Sequence, residues 1–209
     1  MSQFTNALQY IGANLPFVSA EIKAELEQMI AFVKTNGTVL NPMRKLKKLT
    51  LRATVAVEAT TSFVVRDFFK MGDNGQTKIW MSDAFKEKIL AFASSTASSG
   101  EVRLDKLELA ESMNDSQITV ELGSPTPFSI DGFLSHAKGL ILKQPKGEKG
   151  DLLTNGYANI FYVTGNDGRT LAVGADWNAE QWQFYCNEFD ENGKWNAGRC
   201  VFSPALVNA

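Results

Sequence analysis

Tyr157 to Phe202 reads YANIFYVTGNDGRTLAVGADWNAEQWQFYCNEFDENGKWNAGRCVF, and its alternation decides the fold class. Leu171, Val173, Ala175 and Trp177 fall on one side of one strand, and Trp182, Phe184 and Cys186 do so on the next. That period of two is what a half-buried strand requires. Asn166-Asp167-Gly168 and Glu191-Asn192-Gly193 supply residues that tolerate the positive φ of tight turns. The pattern predicts antiparallel strands near 157–164, 169–177, 181–188 and 195–202. Their apolar face needs a cover. Phe133, Leu134, Ala137, Leu140 and Ile141 recur at helical spacing and mark a helix at 130–143 that ends ahead of Pro145 and supplies that cover most economically.

Upstream of that helix, Asn114-Asp115-Ser116-Gln117 has the form of a capping box, opening a brief helix that closes at Gly123. Val102, Leu104 and Leu109 bracket a short strand. The run 94–100, SSTASSG, has too little apolar surface to hold a core and reads as a loop. It either separates a 1–93 region from a 101–209 region or connects two parts of one domain over the surface. Before it, Ser82 caps a helix with Phe85, Ile89 and Phe92 along one side. Lys78 to Met81, Thr61 to Phe69 and Thr54 to Val57 read as strands, with Asn74-Gly75 turning the chain between the first two. At the amino terminus Ile22, Leu26, Met29, Ile30 and Val33 predict a helix over 20–35. A shorter one over 4–13 makes a hairpin with it. The expected fold class is therefore α+β: a helical N-terminal part, a mixed middle region, and a C-terminal four-stranded antiparallel meander packed on a helix.

Composition bounds the function classes. The 209 residues carry 21 Lys+Arg against 23 Asp+Glu, a formal charge of -2, so neither a wholly basic nucleic-acid coat nor an acidic disordered tail fits. Two cysteines are too few for a disulfide scaffold, and the amino terminus lacks a basic n-region followed by a long apolar run. No stretch approaches the roughly 20 apolar residues of a membrane-spanning helix. A cytoplasmic protein with no membrane association is the expectation. One histidine, His136, removes most zinc-site architectures, and no Cys-x-x-Cys, Walker-type or His-Glu-x-x-His pattern occurs, so no metal and no cofactor are expected.

Three groups of residues carry candidate chemistry. The first is the basic run Arg44, Lys45, Lys47, Lys48 and Arg52, interleaved with Leu46, Leu49 and Leu51. It suits a phosphate backbone or an acidic surface, and it equally suits the charged edge of a sheet, where lysines discourage unwanted pairing. The second is the set of rings outside the main apolar stripe of the meander: Tyr157, Tyr162, Tyr185 and Trp195. Amphipathic rings outside a core mark binding surfaces, whereas a sheet covered on both faces buries them without functional meaning. The third is a nucleophile set of Cys186 or Cys200 with His136 as base and Asp176 as orienter. Cys186 shares its strand face with Trp182 and Phe184, where a thiol is an inert small hydrophobe. Free thiols are expected, with no disulfide between them. The acids Asp73, Asp83, Asp176, Asp190 and Glu191 single out no catalytic pair, and Gly147-Glu148-Lys149-Gly150 lacks the strand and helix start of a phosphate cradle. The leading expectation is a non-enzymatic interaction protein or structural subunit with a protein partner or self-association. A nucleic-acid-associated protein using the basic run is the alternative, and an enzyme with a site assembled from distant residues is the second alternative.

Overall fold

The computed structural model describes residues 48–205, all within one compact unit, Leu46–Leu206. The expected N-terminal helical hairpin lies outside the described residues, as do Arg44, Lys45 and Lys47.

The α+β expectation with its self-contained meander is corrected by the sheet. The described chain holds about twice as much strand as helix, 40% against 21%, and its centre is one mixed sheet of eight strands in the order β1-β6-β10-β7-β8-β9-β4-β3. The strands are β1 (Leu49–Val57), β3 (Gly72–Asp73), β4 (Lys78–Met81), β6 (Val102–Leu109), β7 (Asn159–Thr164), β8 (Thr170–Asn178), β9 (Gln181–Glu188) and β10 (Cys200–Pro204). Strands β7, β8 and β9 do form the expected antiparallel meander, with Val173 opposite both Phe161 and Cys186. The fourth strand does not join them at β9. Instead β10 crosses to the other side, parallel to β7 and antiparallel to β6, and β4 takes the place beside β9 in parallel. The reason is side-chain parity at long range. In β10 Cys200 and Phe202 face the main core and Val201 faces the other way, so the strand is buried on both faces and needs a partner on each edge.

A second sheet of two strands, β2 (Thr60–Val64) and β5 (Thr96–Ser99), lies apart from the first. It overturns two local expectations. The serine run is not simply loop, because Ala97 is buried and Thr96 to Ser99 pair with β2. Thr61 to Phe69 is not one strand: after Val64 the chain turns into a single helical turn, α1 (Val65–Phe68), which buries Val65 and Phe68.

The faces of the main sheet have different covers. On the first face, Ile79, Met81, Trp182, Phe184, Val173, Phe161 and Phe202 meet α2 (Asp83–Lys88) and α4 (Ile130–Leu142) in one apolar cluster. Phe133 of α4 lies 5.3 Å from Phe161, and Phe85 of α2 lies 5.1 Å from Phe184. Each helix starts at a serine whose side chain accepts the amide three residues on, Phe85 from Ser82 and Gly132 from Ser129. The second face is covered only in part. There α3 (Asp115–Glu121) seats Ile118 with Leu49, Leu107, Leu109, Ile160, Tyr162 and Val201. Its capping box is complete: Asn114 accepts from the Gln117 amide at 2.8 Å, and the Gln117 side chain accepts from the Asn114 amide at 3.0 Å. The β8, β9 and β4 side of this face has no helix over it among the described residues.

Candidate functional site: an aromatic shelf on the uncovered sheet face

Parity fixes what stands on that uncovered side. Trp182, Phe184 and Cys186 point into the core, so Gln183 and Tyr185 point out; Val173 and Ala175 point in, so Gly174 and Asp176 point out. The register aligns Asp176 with Gln183, Gln183 with Trp80, and Gly174 with Tyr185. Trp80 and Tyr185 pack ring to ring at 5.3 Å. Trp195 lies beyond Gly174, where a side chain on Gly174 would come within 3.6 Å of its ring. The Arg199 guanidinium sits over Trp195 at 5.3 Å. Tyr157 closes the row by packing on Gly198, whose φ of +84° and missing Cβ both matter, since a Cβ there would stand 2.9 Å from the ring.

The electrostatics of this shelf are incomplete in a specific way. Asp176 Oδ1 and Arg199 Nε are both buried and neither has a hydrogen-bond partner. A buried polar atom without a partner costs about 1–3 kcal/mol, so two of opposite kind beside one surface call for an explanation. Burial raises the Asp176 carboxyl above its ordinary range, and the Arg199 charge opposes that shift only in part. The Tyr185 phenol is raised by its own burial and then by Asp176, and it donates to Gln183 Oε1. Tyr185 therefore keeps its proton, and its hydroxyl, the Asp176 carboxyl and the Arg199 guanidinium stand among four rings.

A buried carboxylate beneath the shelf holds Trp195 in place. Asp115, 3% exposed at the start of α3, accepts from Trp195 Nε1 at 2.7 Å, from the Tyr162 hydroxyl at 2.8 Å and from the Asp190 amide at 2.8 Å. Burial raises the Tyr162 phenol far above its ordinary value, and the adjacent Asp115 charge adds to this, so Tyr162 acts as a donor at all ordinary pH. Trp195 is consequently not in a strand. It forms an isolated bridge with Met113, and the chain enters β10 only at Cys200.

Of the four rings singled out by sequence, the structure brings Tyr157, Tyr185 and Trp195 to one surface and places Tyr162 elsewhere, 4% exposed under α3. Trp80, Gln183 and Arg199 were missed as members of the shelf. The alternation around Trp182 and Phe184 carries the signal for Gln183, but Trp80 and Arg199 depend on strand neighbours distant in sequence. The nucleophile set is not assembled. Among the described residues no hydrogen bond joins either thiol to His136, whose Nδ1 is buried without a partner and whose ring packs on Phe128 at 5.7 Å. Burial pushes both thiols up to about 11, and both cysteines are free. Asp176 lies on the shelf face and Cys186 on the core face of neighbouring strands.

Of the basic run, Lys48 and Arg52 are described and both are paired. Lys48 Nζ lies 2.7 Å from Glu111, and Arg52 grips Glu108 through Nε at 3.0 Å and Nη2 at 2.8 Å. Arg52 stands on β1, the end strand of the sheet order, and Lys48 immediately precedes that strand. Among the described residues no group of three or more His, Cys, Asp or Glu could hold a metal ion, and no helix is long and apolar enough to cross a membrane. The chain matches no protein-family model, no curated protein and no solved structure.

Proposed function

We propose that this chain is a non-enzymatic interaction subunit that docks a partner protein on the shelf formed by Trp80, Tyr157, Tyr185, Trp195 and Arg199. One observation carries the reading: Trp80, Tyr157, Tyr185 and Trp195, with the Arg199 guanidinium over Trp195, form a row of partly exposed rings on the side of the sheet that no helix covers among the described residues. Trp, Tyr and Arg are also the residue types that dominate binding energy at protein interfaces, because they bring large area at little entropy cost. The side chains are held in advance, Trp195 by Asp115 and Tyr185 by Gln183, which lowers the ordering cost of association.

The test places a photo-activatable phenylalanine analogue in turn at Trp80, Tyr157 and, as a control on the far side of the fold, Phe92, which is 52% exposed. The chain is cross-linked in the cells that make it, and light scattering on the purified protein reports self-association. One protein, or a second copy of the chain, cross-linked at Trp80 and Tyr157 but not at Phe92 supports the reading. A strict monomer with no cross-link at either shelf position overturns it.

A further inference from the structure

A cleft of about 430 Å3, separate from the shelf, opens between the 73–78 loop, the 145–147 loop and the β8–β9 turn. Its volume falls within the roughly 300–1,000 Å3 of small-ligand sites. Asp73, Gln76, Lys78, Lys146, Trp177 and Glu180 line it, together with Pro145. All three walls are fixed in advance. Asn74 accepts from the Gln76 and Thr77 amides at 2.9 and 2.8 Å and donates to Phe68 O at 2.7 Å. Thr77 ties the first wall to the second through a 2.5 Å bond to Pro145 O. The fully buried Gln144 side chain holds the chain beyond Pro145 by bonds to Leu152 N and O at 2.9 and 3.1 Å. Gly147 lies flat against Trp177, since a Cβ there would come within 2.2 Å of the indole.

The third wall is strained. Ala179 and Glu180 hold φ of +49° and +58° in a two-residue hairpin turn where Asn-Gly is the favoured pair. A side chain at positive φ costs free energy that persists only where something else maintains it, and Glu180 lines the cleft. The lining charges balance, with Lys78 and Lys146 against Asp73 and Glu180. None of these four side chains forms an ion pair among the described residues, and the side chains of Gln76, Lys78, Lys146 and Glu180 make no hydrogen bond there. An anion would meet both carboxylates and a cation both ammonium groups. A neutral ligand with many hydroxyls meets neither penalty: it can donate to Asp73 and Glu180, accept from Lys78, Lys146 and Gln76, and lay its C–H faces on Trp177 and Pro145.

We infer that this cleft is a binding site for a neutral saccharide, independent of the protein-docking shelf. The experiment records 1H–15N NMR spectra of the full chain during titration with glucose, galactose, mannose, N-acetylglucosamine, maltose, cellobiose and lactose. The methyl glycosides are run in parallel as stand-ins for a sugar unit within a longer glycan, and glucose 6-phosphate and glucosamine serve as charged controls. The expected result is saturable shifts of the Trp177 indole and Gln76 amide signals by at least one neutral sugar with a dissociation constant of about 1 mM or tighter. Shifts by the free sugar alone point to a small-molecule ligand, and shifts retained or strengthened in the glycoside point to a glycan; both support the site. Because Trp177→Ala also disturbs Trp182, 5.5 Å away in the core, the discriminating variant is Glu180→Gly. It relieves the positive φ, leaves the melting temperature no lower, and weakens binding about tenfold by removing one charged hydrogen-bond acceptor. No saturable shift by any neutral sugar, tighter binding of either charged control, or unchanged affinity in Glu180→Gly overturns the inference.

Discussion

Replacing Asp115 by alanine strips three donors of one acceptor at once. Hydrogen bonds to a charged group contribute about 1.5–3 kcal/mol each, so the Trp195, Tyr162 and Asp190 bonds would total ~5 to 9 kcal/mol if they simply added. They do not add. Alanine also removes the cost of keeping a carboxylate buried, and a cleft of about 210 Å3 lined by Asp115, Trp195 and Arg199 admits water to the orphaned donors. The net loss expected is therefore ~3 kcal/mol, a large part of the 5–15 kcal/mol that holds an ordinary domain together. Tyr162→Phe removes one bond and keeps the ring packed against Phe189 at 5.9 Å, so it costs about 1–1.5 kcal/mol. In the Asp115→Ala background the same change costs close to nothing, because its partner is already gone. Urea unfolding followed by tryptophan fluorescence and far-UV circular dichroism measures all four corners of the cycle, with Ser116→Ala, a surface bond to Glu191, as the control. A loss for Asp115→Ala no larger than the control, or equal cost of Tyr162→Phe in both backgrounds, refutes the view that this carboxylate organises the second face.

Asp176→Asn should stabilise the chain at neutral pH, because the folded state raises this carboxyl and so opposes its ionisation. The sign follows from proton counting: between the ordinary value of 3.8 and the raised one the folded state binds more protons, so stability falls as pH rises through that window. The gain should be a few degrees in melting temperature at pH 7 and should vanish below pH 3.8; a gain independent of pH contradicts the assignment. For His136 the shift runs the other way, since burial lowers the imidazole from 6.5. Below pH 6.5 the unfolded chain takes up the proton first, stability falls with falling pH until the lowered value is passed, and His136→Gln should flatten that part of the melting curve. Ellman's reagent at pH 8 should find neither thiol in the folded chain and both cysteines after unfolding in guanidinium, given thiols buried and pushed up to about 11. Rapid reaction of Cys186 in the native protein would reopen a catalytic role for it.

Local chemistry was legible in this sequence and long-range pairing was not. The alternation of Leu171 to Trp177 and of Trp182 to Cys186 gave the meander with its correct inward face, and Asn114 and Gln117 gave the start of α3, because each signal lies within one turn or one strand. The neighbours of β10 and β4 could not be read from such signals. Val201 and Cys200 are both fully buried, so the strand shows no alternation, and a run of that kind does not say which edges it joins. The serine run hid β5 because a two-stranded ribbon held by backbone bonds needs little beyond a buried Ala97. The same limit governs the site. Tyr185 and Asp176 could be placed on one face by parity, but Trp80 reaches it from β4 and Arg199 from just before β10, and the positions of those strands follow only from the full sheet order. Tyr162 has the same parity as Ile160, and its burial depends on α3 crossing just that end of the face.

The most direct test of the docking claim is the affinity of the cross-linked partner, or of the second copy, for chains carrying Tyr157→Ala or Arg199→Ala, with Lys194→Ala as an exposed neighbour. Arg199→Ala should weaken binding about 30-fold, the ~2 kcal/mol of an interface hot spot, and Tyr157→Ala about tenfold, while Lys194→Ala changes it less than about threefold. Affinities for Arg199→Ala and Tyr157→Ala equal to that of the unaltered chain, with folding intact by circular dichroism, would contradict the account.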